Sequence, residues 1–145
     1  MATNKLIDLL VIEDDKDIIN LVKAMCLKQS LQVLFASDTT EFIALIKKYE
    51  FKNVLCDIHL SYRYEGLLIA RMYASIKKIN IGNGKIYKFS SEPMSKKELL
   101  KNGFDDSIGK NHTEIQTFLY NCYGFNNKFN INIENVELEK VSIAL

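Results

Sequence analysis

The chain has 145 residues, enough for one domain with a buried core, and 48% of them are apolar while 26% are charged. Its formal charge of +1 gives no electrostatic reason to expect nucleic acid or an anionic membrane surface as a partner. No leader precedes the first polar residues and no apolar run is long enough to span a bilayer, so we predict a cytoplasmic protein whose three cysteines are reduced and mostly buried.

The first half of the chain alternates between strand and helix patterns. Residues 6–12 are nearly all aliphatic, which is typical of a strand covered on both faces of a parallel sheet. Glu13-Asp14-Asp15 follows, and apolar residues then recur at helical spacing, which predicts a helix capped by Asp14 or Asp15. Residues 31–36 predict a second strand, and a capped helix follows with Tyr49 on its apolar face. Residues 53–58 predict a third strand, with Asp57 near its C-terminal end.

The second half continues the same alternation. A polar loop at residues 61–65 leads to Gly66 and a helix over residues 67–79. Residues 85–89 alternate as a fourth strand that ends at Ser90, and a short helix follows over residues 95–101. A weak fifth strand at residues 105–109 precedes Lys110, and residues 113–123 predict the last helix. Strands that alternate with helices predict an α/β fold, a doubly wound parallel sheet of five strands.

Polar side chains follow several of the predicted strands at their carboxyl ends. In open parallel sheets, ligands bind beyond these ends. Carboxylates, a hydroxyl and an ammonium are therefore predicted to meet at one edge of the sheet, and the residues concerned are Glu13, Asp14, Asp57, Ser90 and Lys110.

Carboxylates that share a crevice repel each other, and a hard divalent cation such as Mg²⁺ relieves this repulsion. We predict that Asp14 and Asp57 bind Mg²⁺ directly and that Glu13 binds it through water. The backbone carbonyl of His59 is a candidate for a further oxygen ligand, whereas its imidazole suits Mg²⁺ poorly.

The same residues can carry out phosphoryl transfer. A carboxylate, here Asp57, can attack phosphorus, and the transfer requires mainly positioning and charge neutralisation. Lys110 would neutralise the phosphoryl oxygens and the Ser90 hydroxyl would donate a hydrogen bond to one of them. Taken singly, each residue has an ordinary explanation as a helix cap, a loop residue or a surface lysine. Their predicted convergence at one edge favours the functional interpretation.

At these residues the chain resembles the receiver domain of bacterial two-component response regulators. The resemblance covers residues 5–123 and rests on Glu13-Asp14, on Asp57 in Val-Leu-Cys-Asp-Ile-His, on Ser90 and on Lys110. It implies a flavodoxin-like receiver fold and transfer of a phosphoryl group to Asp57 from a histidine kinase or a histidine phosphotransfer protein. It also implies that phosphorylation changes the face of the fourth helix, fifth strand and fifth helix.

The resemblance further assigns positions that adjust the site. The residues that tune the phosphate lifetime in the family correspond to His59 and Glu92. Ser107 stands where the family often has an aromatic switch residue. Asn111 replaces a proline that follows a cis peptide bond in the family, so we predict a trans bond here. Ser61 replaces another proline, in a loop one residue longer than usual.

We therefore predict a stand-alone receiver domain over residues 1–123 and a C-terminal extension over residues 124–145. In the extension, residues 129–133 alternate as a strand would, and residues 134–145 suit either strand or helix. The domain would not be an enzyme with an external substrate; its partners would be the phosphoryl donor and a downstream protein, and a homodimer is left open. Two alternatives remain, a receiver-like interaction module that takes no phosphate and a small Mg²⁺-dependent phosphatase.

Overall fold

The computed structural model describes residues 4–80 and 82–124, in which five parallel strands form one sheet flanked by five helices. The strands are β1 (Lys5–Ile12), β2 (Val33–Ala36), β3 (Tyr49–Cys56), β4 (Lys85–Phe89) and β5 (Asp106–Ile108). The helices are α1 (Lys16–Lys28), α2 (Thr39–Lys48), α3 (Glu65–Ile79), α4 (Lys96–Lys101) and α5 (His112–Tyr123). The sheet order is β2-β1-β3-β4-β5. The predicted doubly wound fold is thus confirmed, with the flavodoxin-like strand order.

Apolar side chains cover both faces of the sheet, because the strands alternate between two separate cores. On one face, Ile12 and Val54 pack in a cluster with Phe42 of α2, residues of α3 and Leu99 of α4. On the other face, Val11 packs with residues of α1 and α5. The C-terminal parts of β1 and β3 are completely buried, and the polar groups that follow them come together at one edge.

Short polar side chains fix where the helices begin. Asp15, one of the two predicted caps, accepts hydrogen bonds from the backbone at the start of α1, and Asp38 does the same for α2. Ser95 and Glu98 form a capping box that starts α4. Asn111 caps α5 through the backbone N–H of Glu114, so the residue after Lys110 orients the helix that follows the site.

Several predicted boundaries are wrong at their ends. Tyr49 was predicted on the apolar face of a helix, but it is extended and begins β3 opposite Lys5 of β1. Its ring lies near that of Phe51, two residues later. The apolar side chains here therefore follow the two-residue spacing of a strand and not the helical spacing that was predicted. The prediction also carried β3 to residue 58, whereas the strand ends at Cys56. The helix α3 begins at Glu65, before Gly66.

The cysteines, the peptide bond after Lys110 and the helices can also be compared with the sequence predictions. Cys26 and Cys56 are buried free thiols and Cys122 is an exposed free thiol on α5, so the prediction of reduced, mostly buried cysteines is confirmed. The bond between Lys110 and Asn111 is trans, as predicted. Within residues 4–80 and 82–124, none of the helices has the length and apolar character needed to cross a bilayer. The predicted strand at residues 129–133 and the segment 134–145 lie outside the described residues.

Candidate functional site

Two buried carboxylates and one ammonium meet at the carboxyl edge of the sheet. Glu13 follows β1, Asp57 follows β3 and Lys110 lies two residues beyond β5. The Lys110 Nζ atom is 2.7 Å from Glu13 Oε1 and 2.9 Å from Asp57 Oδ2. The structure therefore brings together three of the residues that the sequence predicted, at the point between β1 and β3 where the strand order reverses.

The backbone of neighbouring elements holds Asp57 in place. Its N–H donates to the carbonyl of Ile12 at 2.9 Å, which continues the β1–β3 hydrogen bonds one residue past the strand. Its side-chain Oδ1 accepts from the N–H of Ile58 at 2.7 Å, and only 7% of the residue is exposed. Gly66 packs directly on this backbone, because a Cβ atom there would lie 1.7 Å from the Asp57 carbonyl oxygen. The start of α3 thus requires glycine next to Asp57.

Glu13 is the most deeply buried acid of the site, with 1% of its surface exposed. Its Oε2 accepts hydrogen bonds from the backbone N–H groups of Asp14 and Asp15, both at 3.1 Å. Burial, reinforced by the charge of Asp57 and opposed by Lys110, raises the pKa of Glu13 to about 7. The Glu13 Oε1 atom pairs with the Lys110 charge, but the contact lacks hydrogen-bond geometry and this oxygen has no hydrogen-bond donor among the described residues.

Lys110 is held as a cation. Burial alone would lower the pKa of its ammonium, but the hydrogen bond to Asp57 and the negative charges of Glu13 and Asp57 outweigh burial and raise it. The ammonium therefore carries a full positive charge between two carboxylates at neutral pH. An anion placed beside Asp57 would find this charge already in position.

The acidic side of the site suits a hard divalent cation. Oxygen atoms of Glu13, Asp14 and Asp57 lie within 4.8 Å of one another. Two of these side chains are buried and Asp14 is exposed, so the cluster opens to solvent. All three candidate ligands are carboxylate oxygens, which Mg²⁺ prefers. One of them, Glu13 Oε1, receives no hydrogen bond from the described residues, so these ligands fit Mg²⁺. The backbone carbonyl of His59 stays a predicted further ligand.

Ser90 lies at the same edge, and its side-chain oxygen is held by its own loop. Its backbone N–H donates to the carbonyl of Ile108 at 3.0 Å, which extends the β4–β5 pairing. Its side-chain Oγ accepts a hydrogen bond from the N–H of Glu92 at 3.0 Å. This contact uses only the hydroxyl oxygen, so the Ser90 O–H remains able to donate a hydrogen bond to a group on Asp57.

His59 and Glu92, the predicted tuning residues, contact each other. The His59 Nδ1 atom accepts from the N–H of Tyr64 at 3.0 Å, so its Nε2 carries the proton and donates to Glu92 Oε1 at 3.3 Å. Their side chains are partly exposed. The pair connects the loop after β3 with the loop after β4 across the opening of the site.

Two buried charged residues of this region were missed by the sequence analysis. Lys88 on β4 is only 2% exposed, and the signal for it was the alternation that places it on the same strand face as the buried Ile86. Glu65 is also 2% exposed and accepts from the N–H groups and hydroxyls of Ser61 and Thr39. No motif indicated Glu65, because one partner, Ser61, lies in the loop after β3 and the other, Thr39, is the first residue of α2.

Ser107 lies on β5, opposite Lys88 of β4. It is half-buried and borders a cavity of about 350 Å³ between β5, the loop after β4 and the start of α5. The small side chain thus leaves open space next to the strand end that carries Ser90.

No protein-family model and no curated protein matches the chain. Solved structures similar to it are response-regulator receiver domains. A CheY-like receiver domain protein from Methanospirillum hungatei JF-1 is 21% identical with a TM-score of 0.61, over 98% of this chain and 97% of that one. The chemotaxis response regulator CheY4 of Vibrio cholerae is 19% identical with a TM-score of 0.65, over 83% of this chain and 99% of that one.

A third similar structure is the Saccharomyces cerevisiae receiver domain of Ssk1, solved together with the histidine phosphotransfer protein Ypd1. It is 17% identical with a TM-score of 0.68, over 83% of this chain and 91% of that one. The chain therefore has the receiver fold that its sequence resemblance implied.

Proposed function

We propose that this chain is a phosphoacceptor of two-component signalling, in which Asp57 receives a phosphoryl group from a histidine kinase or a histidine phosphotransfer protein. The observation that carries the proposal is the Lys110 ammonium, which lies within 2.9 Å of oxygen atoms of both Glu13 and Asp57. A structural ion pair needs one acid, whereas this ammonium faces two, next to an acidic cluster open to solvent.

In the proposed reaction, a carboxylate oxygen of Asp57 attacks the phosphorus of a phosphohistidine. The new bond joins this oxygen to phosphorus, the bond from phosphorus to the imidazole nitrogen breaks, and the nitrogen keeps the electron pair and takes up a proton. Bound at Glu13, Asp14 and Asp57, Mg²⁺ would supply charge neutralisation for the phosphoryl oxygens. Lys110 would move its charge from Asp57 Oδ2 toward the transferred group, and no general base is needed.

The remaining parts of the proposal rest on the fold and the resemblance. The similar receiver domain solved with a histidine phosphotransfer protein supports a donor of that kind. The signalling output would be contact with a downstream protein, and turnover of an external substrate is not expected. We assign the phosphoacceptor to residues 1–123 and keep residues 124–145 as an extension. The cytoplasmic location remains a prediction from the sequence.

The test is Mg²⁺-dependent phosphorylation by a small donor. Wild-type protein and Asp57→Asn would be incubated with acetyl phosphate, with Mg²⁺ or with a chelator, and weighed by mass spectrometry. We expect the mass gain of one phosphoryl group in the wild type with Mg²⁺, and none in Asp57→Asn or with the chelator. Asp17→Asn, which removes an exposed carboxylate in the first turn of α1, is the matched control and should behave as the wild type.

Two other results would favour the alternative functions. An unmodified wild-type protein, with acetyl phosphate and with a purified phosphotransfer protein as donors, would indicate a receiver-like module that takes no phosphate. Steady hydrolysis of a phosphate ester such as p-nitrophenyl phosphate, lost in Asp57→Asn, would indicate a Mg²⁺-dependent phosphatase.

A further inference from the structure

Lys88 places a buried ammonium behind the loop that carries Ser90. It is the fourth residue of β4, opposite Cys56 of β3 and Ser107 of β5, and it is only 2% exposed. The other lysine of this strand, Lys85, is exposed. The same strand thus holds one lysine in solvent and one in the interior.

The partners of this ammonium are backbone carbonyls, not carboxylates. Its Nζ donates to the carbonyl of Ser90 at 3.0 Å and to the carbonyl of Glu92. No carboxylate lies within ion-pair distance of Lys88 in the described part of the chain. Burial lowers the pKa of Lys88, an effect that the more distant charges of Glu92 and Asp57 oppose. Because a buried ammonium is costly, stability alone gives no reason for lysine here.

Both carbonyls belong to the loop that presents the Ser90 hydroxyl. Lys88 holds residues 90–92 from the inside, while Glu92 contacts His59 on the outside. The Ser90 Oγ atom accepts from the Glu92 N–H within the same short turn. The position of this hydroxyl therefore depends on where Lys88 holds the two carbonyls, and the adjoining cavity of about 350 Å³ leaves room for the loop to move.

We propose that Lys88 is a positioning residue that acts through Ser90: its ammonium holds residues 90–92 so that the Ser90 hydroxyl, which accepts from the Glu92 N–H, can donate its O–H to a phosphoryl group on Asp57. This proposal rests on the proposed function, because it concerns the same transfer. Lys88 touches neither Asp57 nor the transferred group. It sets the position of the Ser90 hydroxyl, a neutral donor at the site.

The test compares two lysines of one strand. Lys88→Met keeps the length and removes the ammonium, and Lys85→Met is the matched control. Phosphorylation by acetyl phosphate with Mg²⁺ should be about tenfold slower in Lys88→Met, as expected for the loss of charge-assisted hydrogen bonds, and unchanged in Lys85→Met. The midpoint of thermal unfolding should not fall in either variant.

A double-mutant cycle separates positioning from a general structural role. If Lys88 acts through Ser90, then Lys88→Met in a Ser90→Ala background should slow phosphorylation little further. Independent, multiplicative losses would overturn the proposal, as would a rate for Lys88→Met within twofold of the wild type. If Lys88→Met does not fold, Lys88→Gln, which keeps a donor without the charge, replaces it with the same expectations.

Hydrogen exchange of the free protein distinguishes failure of this proposal from failure of the proposed function. The amide of Glu92 should exchange faster in Lys88→Met than in the wild type or Lys85→Met, whether or not the protein is phosphorylated. Unchanged exchange of the Glu92 amide would by itself overturn the proposal that Lys88 holds residues 90–92. A wild-type protein that takes no phosphoryl group, with the exchange difference present, would overturn the proposed function and with it the role of Lys88 in transfer.

Discussion

The two sides of the site hold their cations in opposite ways. On the β1/β3 side, Lys110 is paired with two buried carboxylates, Glu13 and Asp57. On the β4/β5 side, Lys88 is bound by carbonyls alone and stands beside a cavity. The difference teaches that the charge of its partners, and not burial, decides how much a lysine contributes to the stability of the protein. Loss of Lys110 leaves two carboxylates without a cation. Loss of Lys88 leaves only loop carbonyls, to which water can donate hydrogen bonds instead.

The largest expected effect comes from removing Lys110. In Lys110→Met, phosphorylation of Asp57 should slow by about a thousandfold, because the transferred charge loses its fixed cation. The free energy of unfolding should also fall by about 2 kcal/mol, the value for a broken buried ion pair reduced for the partial exposure of Lys110. Acetyl phosphate kinetics and urea unfolding measure these effects, with Lys96→Met on exposed α4 as the control.

Binding of Mg²⁺ gives the same variant a second, opposite result. Because Lys110 competes with a divalent cation for Glu13 and Asp57, Lys110→Met should bind Mg²⁺ more tightly than the wild type in calorimetry. Weaker Mg²⁺ binding in a folded Lys110→Met would contradict the charge-matching interpretation of the β1/β3 side.

A smaller effect should follow from disturbing the backbone beneath Asp57. Gly66→Ala places a Cβ atom against the Asp57 carbonyl, which is fixed backbone, and should lower the free energy of unfolding by about 3 kcal/mol. In the control Gly82→Ala, the Cβ atom meets only the end of the flexible Glu50 side chain, so the loss should stay below about 1 kcal/mol. If Gly66→Ala and Gly82→Ala lowered the free energy of unfolding equally in urea, the Asp57 backbone would be able to shift away from the added Cβ atom.

The smallest effect concerns Glu65, a buried carboxylate on the β1/β3 side that is held by neutral donors of Ser61 and Thr39. In Glu65→Gln, one pair of donors from Ser61 or Thr39 loses its acceptor, which should cost about 2 kcal/mol at pH 7. Burial works to raise the pKa of Glu65, but these hydrogen bonds outweigh it and hold the pKa below its ordinary value of 4.5.

The pH dependence of that cost has a definite sign. A lowered pKa in the folded protein means that the contribution of Glu65 is present above pH 4.5 and is lost as the pH falls through the folded pKa. The difference between wild type and Glu65→Gln should thus shrink below pH 4.5. Ser61→Ala, which removes one hydroxyl donor, should cost less than Glu65→Gln at pH 7. A pH-independent difference for Glu65→Gln would refute the account.

The sequence was sufficient for the parts of the site that follow strands. Aliphatic runs that end in a polar residue placed Glu13, Asp57 and Ser90 at one edge, because parallel strands share that edge. It was insufficient for Lys88, whose partners are backbone carbonyls, and for Glu65, which accepts from its own loop and from the start of α2. Helix ends were also misplaced at Tyr49, because one aromatic residue satisfies both helical and strand spacing.

The order of the strands has a consequence for biosynthesis. The proposed acceptor Asp57 directly follows the central strand β3, but its ammonium comes from residue 110, beyond the edge strand β5. A nascent chain still on the ribosome before residue 110 therefore presents an acid without its cation. Competence for phosphorylation would arise only when the last strand has joined the sheet, so that incomplete polypeptides compete poorly for the kinase.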